Sequence, residues 1–327
     1  MRNLLFVILT LMTTIIFSSC NNERFIYIDD IPINPHVVLN GVIYAGSDTS
    51  YFYITKSRPI YNNNDSIWNG SQMNTVGYEM IDNADFNLTV NQQPYFVEYS
   101  KADSAYTFTN KLKEGDNIDI EIIHKNERIT SGAVLPPPPQ VISIDTVSVK
   151  RVEYGYPRNY LKFDIKIKDN PGRKDYYRLV ISGVTYSLEN NQIRYFDNFV
   201  SYYSNDPVLT NGYTGASSNS DILIQSSRYN SFSVFRDVMF ADKEYILTFY
   251  VQNEKRYNYP GYEYLYECRM NIKLQSINED LYKYYSSLQY NLQSSWEPVK
   301  VHTNINGGLG ILGVCNEIKI FEDLYQY

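Results

Sequence analysis

The sequence predicts a mainly β protein: two Ig-like or fibronectin-like antiparallel β-sandwich domains with one α-helix in the C-terminal region. Three observations carry this. Apolar and polar residues alternate with period two in short segments separated by turn clusters, the pattern of half-buried strands. Tyrosine and asparagine each occur 33 times, which pairs a strand-favouring residue with a turn-favouring one. A run of four prolines, Pro136–Pro139, divides the chain, and such a run is a stiff polyproline II spacer that does not fit inside a sheet.

Composition supports this class and removes others. A chain of 327 residues is long enough for two domains, each with its own core. Hydrophobic residues at 43% and charged residues at 20% describe a folded chain, not a disordered one. Lys and Arg number 29 against 36 Asp and Glu, for a net charge of −7. No basic block is present, so nucleic acid is not an expected partner.

The elements follow in chain order. Met1-Arg2-Asn3 gives a positively charged start, and Leu4 to Phe17 is an apolar run too short to span a bilayer but of secretory length. Phe17-Ser18-Ser19-Cys20 resembles the lipobox of lipoprotein signal peptides. That resemblance implies a signal peptide over 1–19 and acylation of Cys20, which becomes the membrane attachment. Residues 20–35 then read as a lipid-anchored tether, with Pro32 and Pro35 opposing regular structure.

The first sandwich is expected over 36–135. Val37 to Ile43, Tyr51 to Ile54 and Asn117 to Ile122 show strand patterning, whereas 57–78, with Trp68, reads as a long loop. A proline linker over 136–140 leads to a second sandwich over 141–327. Leu161, Phe163, Ile165 and Ile167 alternate with Lys162, Asp164, Lys166 and Lys168, and Asp169-Asn170-Pro171-Gly172 turns the chain into a returning strand from Tyr176. Tyr245 to Val251 and 262–274 are further strands, the latter with Cys268 on its apolar face. Helix 276–293 is predicted from a capping box, Ser276 as N-cap and Glu279 at the third position. Its apolar stripe, Leu281, Tyr284, Tyr285, Leu288 and Leu292, is read as packing on the sheet.

The chemistry is sparse. His36, His124 and His302 have no neighbour at metal-ligand spacing, so no metal is expected, and no cofactor motif appears. Gly307-Gly308-Leu309-Gly310-Ile311-Leu312-Gly313 has glycines but neither the strand–loop–helix order nor the lysine of a phosphate loop. No nucleophile elbow, zinc-protease helix or catalytic-cysteine signature is present, and the chain reads as non-enzymatic, with no catalytic residue assigned. Cys268 and Cys315 leave two readings open, a disulfide or buried free thiols. Candidate binding aromatics are those in segments without strand period: Trp68, Tyr202 and Tyr203 before Asp206-Pro207, and Tyr257 and Tyr259 in Tyr257-Asn258-Tyr259-Pro260-Gly261. They either anchor a partner or fold back over sandwich edges.

The stretch Trp296-Glu297-Pro298-Val299, continuing through Thr303-Asn304-Ile305-Asn306 to the glycines at 307, 308, 310 and 313, carries a family resemblance. It resembles the C-terminal signature of the Bacteroidota envelope lipoproteins grouped as domain of unknown function 4249. Cys20, Val37-Val38-Leu39-Asn40-Gly41, Ala133-Val134-Leu135-Pro136-Pro137, Phe235-Arg236-Asp237 and Asp242-Lys243-Glu244-Tyr245 agree with it. The resemblance implies a lipid-anchored outer-membrane protein. Acidic Glu23, Asp29 and Asp30 behind Cys20 resemble the export signal of such lipoproteins and favour the cell surface over the periplasmic face. It further implies an accessory or ligand-capture subunit of a TonB-dependent transporter, with an unspecified ligand. The alternative is a surface adhesion or structural protein that binds other proteins through its sandwiches.

Overall fold

The computed structural model describes residues 35–57, 79–153, 156–189, 192–212, 223–252, 268–293 and 299–325. The signal segment, Cys20, nearly all of the tether, Trp68, Tyr257 and Tyr259 lie outside the described residues. The N-terminal part supplies β1 (Val37–Tyr44), β2 (Thr49–Lys56), β3 (Asp85–Val90), β4 (Gln93–Tyr95), β5 (Glu98–Ser100), β6 (Ala105–Thr109), β7 (Asn117–His124) and β8 (Glu127–Val134). In β1, Val37, Leu39, Gly41 and Ile43 are buried and their neighbours half-buried, the period-two burial that the sequence pattern anticipates.

Beyond the prolines come β9 (Gln140–Glu153), β10 (Tyr156–Lys168), β11 (Tyr176–Glu189), β12 (Gln192–Phe199), β13 (Tyr202–Ser204) and β14 (Ile224–Gln225). A helical turn (Ser226–Tyr229), β15 (Val234–Arg236), a 3-10 turn (Asp237–Met239) and β16 (Glu244–Gln252) follow, then β17 (Cys268–Ile277), helix α1 (Glu279–Gln293) and β18 (Leu309–Tyr325). The fold is mainly β, with one long helix among the described residues.

These strands form three sheets. The largest has the order β12-β11-β17-β18-β1-β2-β6-β5, with β15 also paired to β11; a five-stranded sheet runs β14-β13-β16-β10-β9 and a four-stranded one β4-β3-β7-β8. β18, of 17 residues, joins the two halves of the large sheet. Its first part pairs in parallel with β1, from Val38 opposite Leu309 to Tyr44 opposite Cys315. Its second part pairs antiparallel with β17, from Ile277 opposite Cys315 to Cys268 opposite Tyr325.

Successive side chains on a strand point to opposite faces, and β18 uses both. Leu312 and Val314 enter a core with β1, β2, β6, β7 and β8 residues, among them Leu39, Phe52, Phe108, Ile120 and Ile129. Farther along, Ile318 and Ile320 reach a second core built on Phe163, Ile165, Leu179, Phe249 and Ile272. Ile311 and Cys315 face the other way, against Leu281 of α1. The four- and five-stranded sheets therefore cover one face of the large sheet, and α1 lies on the opposite face.

Two sequence expectations change here. Residues 141–327 were expected to form a separate sandwich, yet Ile305, Leu312 and Val314 complete the N-terminal core. His36–Ser57 and Tyr78–Tyr327 form one compact unit. The prolines do not bridge open solvent either: Pro139 is buried, and Asn316 Nδ2 donates to Pro136 O at 3.2 Å. Local composition marks where a strand breaks, but the pairing of β18 with β1 is long-range and leaves no local signal.

The helix begins later than the capping box indicates. Ser276 stays in β17, opposite Tyr177 on one side and Asn316 on the other. Asn278 precedes the first turn instead; its carbonyl accepts from Tyr282 N at 3.1 Å while its side chain accepts from Val314 N at 3.2 Å. Glu279 and Asp280 occupy the first turn, where the helix dipole favours acid, and Glu279 pairs with Lys283 at 2.9 Å. Leu281 is buried as expected, but Leu292, the last member of the expected stripe, is 71% exposed.

Candidate functional site

From Val299 on, where it is described, the C-terminal motif is structural. Asn304 holds the start of β18: its Nδ2 donates to Leu312 O at 2.9 Å and its Oδ1 accepts from Leu312 N at 3.0 Å. Asn306 exchanges backbone bonds with Thr130, and Ser131 Oγ donates to Asn304 O at 2.9 Å, so the segment is laced to β8. Gly310 has φ +101°, and a Cβ there would collide with Leu39 O of β1. The glycines are in place for close backbone approach, not for holding phosphate.

His302, Asp280 and Ser287 bring the residue types of a catalytic triad together, but their wiring differs. His302 Nε2 lies 2.8 Å from Asp280 Oδ1. Ser287 Oγ accepts from the His302 backbone N–H at 2.8 Å and donates to Tyr284 O at 3.0 Å. The serine hydroxyl is thus spent on backbone groups instead of the imidazole, and the trio pins the segment before β18 onto α1. A base must reach its nucleophile's proton to activate it.

The two open readings of the cysteines resolve. Cys268 lies opposite Tyr325 and Cys315 opposite Ile277, at the two ends of the β17–β18 ladder. Ten residues of strand, at about 3.3 Å each, separate them far beyond the roughly 7 Å limit for a disulfide. Cys315 is a buried free thiol, and burial pushes its pKa up, away from reactivity.

A cleft of about 520 Å³ opens beside α1, within the roughly 300–1,000 Å³ range of small-molecule sites. Tyr282, Ser286, Gln289 and Tyr290 of α1 form one wall, residues 207, 208 and 210–212 a second, and Tyr229 with residues 234–236, 238 and 239 a third. Arg236 is the sole charged residue among its described lining. Val238, Met239 and Tyr290 stand at 64%, 59% and 64% exposure around it. Apolar and tyrosine surface with a few amide and hydroxyl groups suits recognition of a polar ligand or a peptide.

Buried polar groups fix these walls. Asp206 Oδ1 accepts from Val208 N at 2.9 Å and Tyr245 Oη at 2.8 Å, and its Oδ2 accepts from Thr248 N at 3.1 Å, holding the 207–212 turn on β16. Buried Asn230 donates from Nδ2 to Leu209 O and Val234 O, both at 3.0 Å, and accepts from Val234 N at 3.1 Å. Gln289 Nε2 donates to Tyr229 O, tying α1 to the helical turn. On the other side of the 3-10 turn, Asp237 Oδ2 accepts from Asp175 N at 2.7 Å and Asp169 Oδ2 from Asp242 N at 2.8 Å. The Phe235-Arg236-Asp237 and Asp242-Lys243-Glu244-Tyr245 pieces of the motif thus hold one end of the cleft.

Burial raises the pKa of Asp206 despite the hydrogen bonds it accepts, and raises that of Asp169, where Asp237 and Asp175 add repulsion. A carboxyl with a raised folded pKa contributes most below its unfolded value and loses that contribution as pH rises through the folded value. Wild type should therefore gain stability relative to Asp206→Asn as pH falls from about 7 toward the unfolded carboxyl range near 4. The urea midpoint of wild type minus that of Asp206→Asn should rise on acidification; a difference that stays level or falls contradicts the assignment.

Of the sequence-chosen aromatics, the described ones are Tyr202 and Tyr203, and they lie on a strand, not a loop. Tyr202, 2% exposed, points into the second core, with its ring edge-on to Phe249 at 5.7 Å, so it offers no surface to a partner. Tyr203 points the other way, half-buried, 5.6 Å from the Tyr160 ring with its hydroxyl 3.4 Å from Gln252 Oε1. Neither lines the cleft. The cleft had a signal that went unused: Tyr282, Ser286 and Tyr290 recur at i, i+4 and i+8, a second stripe beside the core stripe.

Among the described residues no group of three His, Cys, Asp or Glu side chains is arranged to hold a metal ion. No helix there is long and apolar enough to cross a membrane. Comparison with curated proteins and with solved structures gives no match. The family comparison does: the model for the domain of unknown function DUF4249 matches residues 24–320, which covers both cores, the cleft and most of β18, and the chain belongs to that family.

Proposed function

We propose that this is a non-enzymatic, lipid-anchored outer-membrane protein of the Bacteroidota type. On this reading it serves as an accessory or ligand-capture subunit of a TonB-dependent transporter, with the α1 cleft as its binding site. The observation that carries the reading is the braced cleft, rimmed by exposed Val238, Met239 and Tyr290. Exposed aromatic and flexible apolar side chains on a rigid frame are the anchors from which interface energy comes. The wiring of Ser287 to backbone favours binding over hydrolysis. On this reading Cys20 supplies the anchor, and the two joined β cores, Ig-like in kind, carry the cleft.

Met239→Ala and Tyr290→Ala test this. Purified in detergent from native envelopes, wild type should bring a β-barrel transporter with it. Each variant should lose at least tenfold of that co-purification with its melting temperature nearly unchanged, since both side chains are exposed. Full retention of the barrel by both variants would place the site elsewhere. Recovery of extracellular or surface proteins without any barrel would replace the transport reading with adhesion.

A further inference from the structure

The described sheet edges are unequal. β4 and β5 have three residues each and β14 two, while β12 has eight. β8 is bridged to Asn306 through Thr130. β9 is different: it runs 14 residues at the end of the five-stranded sheet, paired on one side with β10. Its middle, Ile144-Asp145-Thr146-Val147-Ser148-Val149, carries one charge, and Ile142, Ile144, Val147 and Val152 are exposed large apolar residues. Long apolar edges are templates for strand addition, and folds normally protect them.

We infer that β9 pairs with β9 of a second copy of this chain, antiparallel about a two-fold axis at Ser148, joining two five-stranded sheets into one. Residues directly opposite in an antiparallel pair share a face, so the axis passes through a residue position. Centred on Ser148, Asp145 meets Arg151 twice, Val147 meets Val149 twice, and Ile144 meets Val152 twice. Centring on Val147 sets Asp145 against Val149, and centring on Val149 sets Asp145 against Glu153; neither gives a charge match. The faces are consistent with the pairing to β10: Asp145 lies opposite Asp164 and Arg151 opposite Arg158, on the outer face with Lys162. Arg151 is already oriented there, its guanidinium 5.4 Å from the Tyr250 ring centre. Charge complementarity of β9 with itself thus favours a second copy over a foreign strand.

The experiment is sedimentation equilibrium of the detergent-solubilised full chain, with charge reversals. Wild type should show a monomer–dimer equilibrium. Asp145→Arg and Arg151→Asp should each weaken the dimer at least tenfold, because each places like charges opposite twice. The double variant D145R/R151D should restore it, and the single variants should keep the wild-type melting temperature, which shows that they fold. A monomer at every concentration overturns the inference, as does a dimer insensitive to the single reversals or a double variant that fails to recover. A monomeric chain that instead carries another protein in a manner sensitive to D145R also overturns it. None of the cleft residues is on β9, so these variants should leave transporter co-purification intact, and the two readings fail independently.

Discussion

Gly310→Val should cost about 4 kcal/mol or more, a large share of the about 5–15 kcal/mol that holds a typical domain folded. Two penalties add. At φ +101° a β-branched residue occupies a backbone region it rarely adopts. Its Cβ would also press on Leu39 O, a backbone atom in a paired strand that cannot swing aside as a side chain would. Relief would require β1 and β18 to separate, and those strands hold the large sheet together. Gly172→Ala separates the two terms: φ is +78° there but nothing lies within 4 Å of the added Cβ. That variant should lose only about 1–2 kcal/mol. Urea unfolding of the two proteins is the measurement, and similar losses for both would remove the close approach from the explanation.

Local structure was legible in the sequence and long-range pairing was not. The alternation in Leu161–Lys168 and Asn117–Ile122 reported β10 and β7 because half-burial imposes it residue by residue. The helix was legible from Leu281, Tyr284 and Tyr285, but its start was not. Ser276 has the capping residue type, yet ladder pairing on both sides held it in β17. The proline run marked the start of β9 correctly as a break, but a break in one strand does not separate two cores when a distant strand serves both. Tyr202 shows the limit for sites. In a three-residue strand no period is visible, so a core tyrosine and its outward neighbour Tyr203 read alike. The cleft residues Tyr282 and Tyr290 carried helical spacing, but Tyr229, β15 and the 207–212 turn that face them come from elsewhere in the chain. The family signature was the most legible feature, and those of its residues that are described shape strands and turns.

Leu312→Ala carries the second large effect. Leu312 is fully buried in the N-terminal core, and truncating such a side chain costs about 3 kcal/mol. Were the two sandwiches independent, that loss would stay in the first. Because β18 continues from Leu312 and Val314 into Ile318 and Ile320 of the second core, the loss should spread to both. Native-state hydrogen exchange reads the two cores separately through their slowest amides, at Ile120 and Ile122 of β7 and at Phe163 and Ile165 of β10. A shared strand predicts the same drop in protection at both places in Leu312→Ala. A drop at β7 with β10 unchanged would show two independent domains and contradict it.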